Sequence, residues 1–232
     1  MDVLIYVADG ILFEGVDYAT RIEERLSQAG LTSLRCDLTS LPIEHPRPRL
    51  AYVFTGGETS VHSDAAWMRS AIGMTRRLIA GAQRGEQSVI GICLGSQIIA
   101  EALRPDSIIS TRAIEVGLTP VTSAHAGQAE QAVPSFHYQA ISPAIDQDAE
   151  VRIELHNAHT AVQAFSYGKR VFGCQFHPEL SPSDVLKLIE FNSDVITTWH
   201  GDVEVARQSV ALHSDALPGD LFDRLIVDRI RA

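Results

Sequence analysis

At 232 residues and 25.3 kDa, the chain has the length of one large domain, or of one domain with a modest appendage. Its composition, 45% hydrophobic and 21% charged, excludes a disordered, collagen-like or coiled-coil chain. A formal net charge of −10 repels phosphate backbones and anionic lipid, which argues against nucleic acid and membrane surfaces as partners.

The first half alternates short β-rich runs with helical patterns. Val3 to Val7 reads as a buried strand. From about Asp17 to Ala29, the apolar positions Tyr18, Ile22, Leu26 and Ala29 form a helical stripe closed by Gly30. A second strand is predicted at Ser33 to Leu38, a Pro-rich loop at 41–49, and a third strand at Ala51 to Phe54 running into Gly56-Gly57. The next helix is expected from Asp64 to Gln83, capped by Ser63 or Asp64. A fourth strand follows at Ser88 to Ile92, then a helix from Leu94 that stops before Pro105. Such alternation predicts parallel strands joined by right-handed crossovers, hence an α/β fold with an open, doubly wound, mostly parallel sheet. Ligands in such sheets sit at the carboxyl ends of the strands.

The character then changes. Ile114 to Val121, Phe136 to Ile141, Val151 to Leu155, Ala161 to Phe165 and Arg170 to Phe176 read as short antiparallel strands, with a hairpin turn at Tyr167-Gly168-Lys169. From Ser183 the chain reads as helical to its end, with a break near Leu217-Pro218-Gly219. The division expected is residues 1–195 as the main domain and 196–232 as a helical extension, packed on the domain or used to dock a partner or a second copy. MDVLIYVADG is too short and too acidic to read as a leader or a span, and three widely spaced cysteines suit a reducing compartment; the expected location is cytoplasmic.

The chemistry concentrates in Val89-Ile90-Gly91-Ile92-Cys93-Leu94-Gly95-Ser96-Gln97. A strand ends at Cys93 and a helix begins at once, with Gly91 and Gly95 where side chains would crowd the turn: a nucleophile elbow carrying a thiol. The positive end of the helix favours the reactive thiolate. His177 follows a strand-like run, Pro178 restricts its backbone, and Glu179 can reach the outer ring nitrogen. Nucleophile, imidazole and orienting carboxylate together compose a triad. The amides at Gly56-Gly57, with that of Leu94, could form an oxyanion hole. Cys36 and Cys174 read as core residues, and His62, His125, His200 and His213 as surface or loop histidines. His156 and His159 in LHNAHT have no third ligand nearby, so no metal and no other cofactor is expected.

GICLGSQ, FGCQFHPE and TGGETS, at these separations, resemble the three motifs of class I (triad) glutamine amidotransferases. EVGLTPV at 115–121 and QAFSYGKRVFGCQFHPE at 163–179 most resemble the amidotransferase domain of GMP synthase and its stand-alone relatives. The resemblance runs from residue 1 to about 190. It implies a flavodoxin-like class I amidotransferase fold, with Cys93, His177 and Glu179 as catalytic residues, Gly57 and Leu94 as oxyanion donors, and Gln97, Gly56, His137 and Tyr138 around the substrate. His137 is matched by position only. The chain departs from the pattern at Glu58, where such members often read Pro, implying a looser loop or a different partner. It departs again at Tyr138 in Phe136-His137-Tyr138-Gln139, where many read His-Gly-Asp.

The function implied is hydrolysis of L-glutamine to glutamate and ammonia through a cysteinyl thioester. No glycine-rich phosphate loop is visible, so ammonia would pass to a separate synthetase subunit; homo-oligomers stay open. The alternatives are a γ-glutamyl hydrolase acting on another γ-glutamyl amide, or a non-catalytic relative.

Overall fold

A computed structural model describes residues 2–41, 43, 50–124 and 130–232. The Pro-rich loop expected at 41–49 lies mostly outside these residues, as does His125. The elements are β1 (Val3–Val7), β2 (Ile11–Phe13), β3 (Val16–Asp17), α1 (Tyr18–Gln28), β4 (Ser33–Asp37), β5 (Ala51–Phe54), α2 (Ala66–Gln83), β6 (Ser88–Ile92), α3 (Leu94–Leu103), β7 (Ile108–Ser123), β8 (Gln131–Ile141), β9 (Val151–His156), β10 (Ala164–Tyr167), β11 (Val171–Cys174), α4 (Pro182–Phe191), α5 (Ser193–Thr198), α6 (Val203–His213) and α7 (Asp228–Arg231).

Among the described residues one sheet has nine strands in the order β4-β1-β5-β6-β11-β10-β9-β7-β8. The first five of these are parallel and the rest antiparallel. This is the doubly wound arrangement with an antiparallel addition. The last strand departs from the sequence reading: β11 forms the expected hairpin with β10 but also returns to pair in parallel with β6, Gly173 opposite Gly91. That return carries the chain after β11 back beside the end of β6. β7 and β8 are also longer than the runs expected, and a two-stranded ribbon of β2 and β3 stands apart from the main sheet.

The strands are buried on both faces, as in parallel sheets covered by helices. Successive residues of β1 divide between two cores. Leu4 and Tyr6 pack with Phe54, Met68, Ile98 and Ile99 under α2 and α3. Val3 and Ile5 pack with Ile22 and Leu26 of α1 and with Phe222, Ile226 and Ile230 near the C-terminus. Each of those last three side chains is almost fully buried, worth about 1.5–3 kcal/mol apiece in apolar area removed from water. A third cluster joins α4 and α6 to β7 through Val185, Leu188, Ala206 and Leu118. Gly117, at φ +106, leaves room for Ser209, whose hydroxyl oxygen accepts from Leu118 N at 3.0 Å.

The start of α2 corrects the expected cap. The N-cap residue is Ala65, with no side-chain hydrogen bond, while Ser63 Oγ accepts from Ala65 N. α4 has a full capping box, Ser181 with Asp184, and Pro182 in its first turn. That fixes the chain directly after His177 and Glu179.

Candidate active site

Cys93 sits between β6 and α3 at φ +50, ψ −109, a conformation that side chains other than glycine rarely adopt and that clusters at functional sites. The surroundings impose it. Cys93 N donates to Cys174 O at 2.8 Å, Gly95 N to Thr55 O at 3.0 Å, and Ser96 N to Cys93 O at 3.0 Å. A Cβ at Gly91 would lie 2.4 Å from the Gly95 backbone, and one at Gly95 2.3 Å from Phe54 O. Both glycines are therefore demanded by backbone contact. The thiol is turned to the sheet's carboxyl edge, 3.8 Å from Phe136 O.

His177 and Glu179 follow β11, on the strand that pairs with β6. His177 N donates to Pro134 O at 2.7 Å, and Nδ1 lies 2.8 Å from Glu179 Oε1 with both side chains buried. Nε2 has no hydrogen bond of normal geometry. Burial favours the neutral ring, but the Glu179 charge and the Cys93 side chain outweigh it and raise the His177 pKa above its ordinary value. Tyr18, read in the sequence as part of an apolar stripe, stacks on this imidazole with centroids 5.9 Å apart and lines the cleft. Burial pushes its phenol well above its usual range.

Gly56 and Gly57 leave the end of β5, beside β6. A Cβ at Gly56 would meet Tyr18 and His177; one at Gly57 would meet Leu94 and Ala8. The pair lets the chain pass between the imidazole and the elbow. Gly57 and Leu94 both line the cleft. Leu94 is the first residue of α3, where a helix leaves its amides without intrahelical partners. Glu58 Oε1 accepts from Ile11 N at 3.1 Å, its side chain fills the space beside Gly10, and Asp9 accepts from the amide and hydroxyl of Thr59. These contacts tie the glycine loop to the β1–β2 turn.

The cleft holds about 330 Å³ and is bordered by Cys93, Gln97, the Phe136–Gln139 segment of β8, Asn192, Val195 and Trp199. Gln97 Nε2 donates to Gln139 O at 3.3 Å, a carbonyl that also takes Gln175 Nε2 at 3.0 Å. Tyr138 reaches across the cleft, its hydroxyl 3.3 Å from Glu58 O, and stacks on Trp199. Four contributors escaped sequence reading: Tyr18, Ser96, Gln175 and Trp199. Ser96 Oγ lies 2.6 Å from Cys93 O and 3.2 Å from Gln175 Oε1. Ser96 and Gln175 flank residues already singled out, and that adjacency was the available signal; Trp199 carried none.

Among the described residues no group of three or more His, Cys, Asp or Glu is arranged to hold a metal ion, and no helix is long and apolar enough to cross a membrane. His159 faces buried Glu115, its Nδ1 3.1 Å from Oε2.

Comparison with known proteins places this geometry among relatives. A glutamine amidotransferase-like protein of Salmonella typhimurium is 30% identical over 133 residues, 54% of this chain and 54% of its own. The glutamine-hydrolysing GMP synthase of Aeropyrum pernix is 27% identical over 224 residues, 91% of this chain but 38% of its own. The chain thus spans about half or less of the length of these curated relatives. A glutamine amidotransferase structure from Thermotoga maritima superposes with a TM-score of 0.76 at 18% identity, over 100% of this chain and 99% of that one. A GMP synthase subunit from Thermoplasma acidophilum gives 0.59 at 17% identity, covering 86% of this chain and 96% of that one. Both likenesses establish a shared fold. The class I glutamine amidotransferase family model matches residues 16–194, more than half of the sequence, and the chain belongs to that family.

Proposed function

We propose that the protein hydrolyses L-glutamine to glutamate and ammonia, with Cys93, His177 and Glu179 as a catalytic triad. The observation that carries this is the convergence of a cysteine held in a strained elbow with a buried imidazole whose far nitrogen is 2.8 Å from a buried carboxylate. Cys93 thiolate attacks the side-chain amide carbon, and the amides of Gly57 and Leu94 donate to the developing oxyanion, each worth about 3 kcal/mol. The carbon–nitrogen bond breaks as His177 transfers a proton to the departing nitrogen, leaving ammonia and a γ-glutamyl thioester. His177 then takes a proton from water, which attacks the thioester; glutamate leaves and the thiolate returns. Glu179 orients the ring and steadies its cationic form. Gly56, Gln97, His137 and Tyr138 shape the substrate side.

Bulk ammonia is mostly ammonium, which is not nucleophilic, so the ammonia is best used by a separate synthetase acting beside this chain in the cytoplasm. The matched GMP synthase and the GMP synthase subunit of like fold support a partner of that kind. Residues 196–232 belong to the same folded unit in this reading, since Trp199 borders the cleft and Phe222 lies in the core. Glutaminase turnover that disappears in Cys93→Ala and rises on titration with the synthetase is the expected result. Wild-type turnover in Cys93→Ala would end the triad assignment.

A second reading has one observation in its favour. The stacked Tyr138 and Trp199 give the cleft an aromatic wall, suited to a γ-glutamyl amide with a larger leaving group than ammonia. A kcat/KM for γ-glutamyl-anilide above that for glutamine would select it.

A further inference from the structure

Two sequence features remain outside this mechanism, EVGLTPV and LHNAHT, and the fold brings them together. Glu115 lies opposite His137 in the β7–β8 register, directly after an irregularity between Ser110 and Glu115 that shifts the pairing. Such a bulge re-aims a side chain. Glu115 is only 5% exposed, and a buried carboxylate persists only when its charge and lone pairs are met. Its oxygens accept from Thr160 Oγ1 at 2.7 Å, Asn157 Nδ2 at 2.5 Å and Gln163 Nε2 at 2.8 and 2.9 Å. His159 Nδ1 and His137 Nε2 lie 3.1 and 3.3 Å away.

His137 is the member of this group that touches the cleft. Its Nδ1 is 3.1 Å from Gln139 O, the same carbonyl that takes Gln97 and Gln175. Gln139 O therefore joins β8 to the helix after Cys93 and to the residue two places before His177. The His137 Nε2 contact with the carboxylate is a close approach at 3.3 Å without hydrogen-bond geometry, and Gln163 Oε1 is likewise unpartnered, so the buried carboxylate acts on His137 through proximity while Gln139 O fixes the other side of the ring.

We propose that Glu115 is a positioning residue for substrate binding: through His137 it holds the Phe136–Gln139 wall in register beside Cys93. The Asn157–Gln163 segment serves to clamp the carboxylate. This rests on the cleft being the substrate site, and the test separates the two ideas.

The exchange variant Glu115→Gln/Gln163→Glu keeps one carboxylate and one amide in mutual reach while moving the charge away from His137. KM, kcat and the glutamine concentration that half-protects Cys93 from iodoacetamide are compared with wild type. The expected result is about a tenfold rise in KM and in the half-protecting concentration, with kcat within about twofold and the unprotected alkylation rate unchanged. A wild-type KM in the exchange variant reduces Glu115 to packing and overturns the proposal. Should the exchange fail to fold, a cycle of Glu115→Gln with His137→Asn decides. Non-additive KM effects support action through His137, and additive effects refute it. Failure of the cleft assignment reads differently: wild-type Cys93 would then be protected by no γ-glutamyl compound.

Discussion

Tyr138 stacks on Trp199 with ring centroids 4.3 Å apart and planes 8° from parallel. One ring comes from β8 and the other from the residue after α5, so the C-terminal helices complete a wall of the cleft that Cys93 borders. An aromatic pair of this kind is worth about 0.5–1.5 kcal/mol beyond area burial. Trp199→Ala is therefore expected to raise KM about 2- to 10-fold with kcat little changed, measured by steady-state kinetics. Truncation after residue 195 should cost far more, because it also strips Phe222, Ile226 and Ile230 from the core.

Gly95 of the elbow and Gly73 of α2 should respond to alanine in opposite directions. Gly95→Ala would drive a methyl to 2.3 Å from Phe54 O, a backbone atom unable to yield, and should destabilise by about 3 kcal/mol or more. Gly73, within α2, has open space where a Cβ would lie, with nothing within 4 Å. Gly73→Ala should stabilise by up to about 1 kcal/mol through helix propensity. Urea denaturation of the two variants checks both signs.

Glu179 and Cys93 together raise the His177 pKa. Glu179→Gln removes the carboxylate charge, so the ring should titrate lower, toward the ordinary value of about 6.5. Turnover should fall by about 100-fold or more. The pH dependence of kcat/KM is the check, with its limb for the imidazole displaced to lower pH. An undisplaced limb would mean Glu179 does not act on the ring.

His159 is expected to link stability to pH. Its hydrogen bond to Glu115 raises its pKa, with burial opposing and the Glu115 charge and Ala113 carbonyl assisting. A folded value above the unfolded one contributes stability that is full below about pH 6.5 and lost as pH rises through the folded value. Glu115 runs the other way. Burial would raise its pKa, but His137, His159 and Asn157 hold it well below the carboxylate range, so its contribution is present above about pH 4.3 and lost on acidification. The difference in urea midpoint between wild type and Glu115→Gln should be greatest between these limits and shrink toward pH 9. NMR should show the His159 midpoint falling in the variant.

The parallel half of the fold was legible because both-face burial leaves apolar runs such as Val3–Val7 and Val89–Ile92, and the elbow because Gly91 and Gly95 flank Cys93 within five residues. The return of β11 to β6 was not legible, since a strand's partner is a long-range property that its own residues do not encode. Trp199 reaches the cleft by the path of the chain after α5, and Tyr18 fits a helical stripe equally well as core or as cleft wall. Glu115 was read only as part of a resemblance; its meaning depends on a clamp some forty positions downstream. Glu58 reads in the sequence only as a departure from the family pattern; its carboxylate finds the amide of Ile11, a contact set by two loops meeting in space.

Peptide mass spectrometry of the protein quenched in acid during glutamine turnover tests the central assignment most directly. A γ-glutamyl adduct is expected on the peptide bearing Cys93, absent from those bearing Cys36 and Cys174 and absent from Cys93→Ala. Turnover with the adduct on another residue, or continuing in Cys93→Ala, would contradict a thioester formed at the elbow.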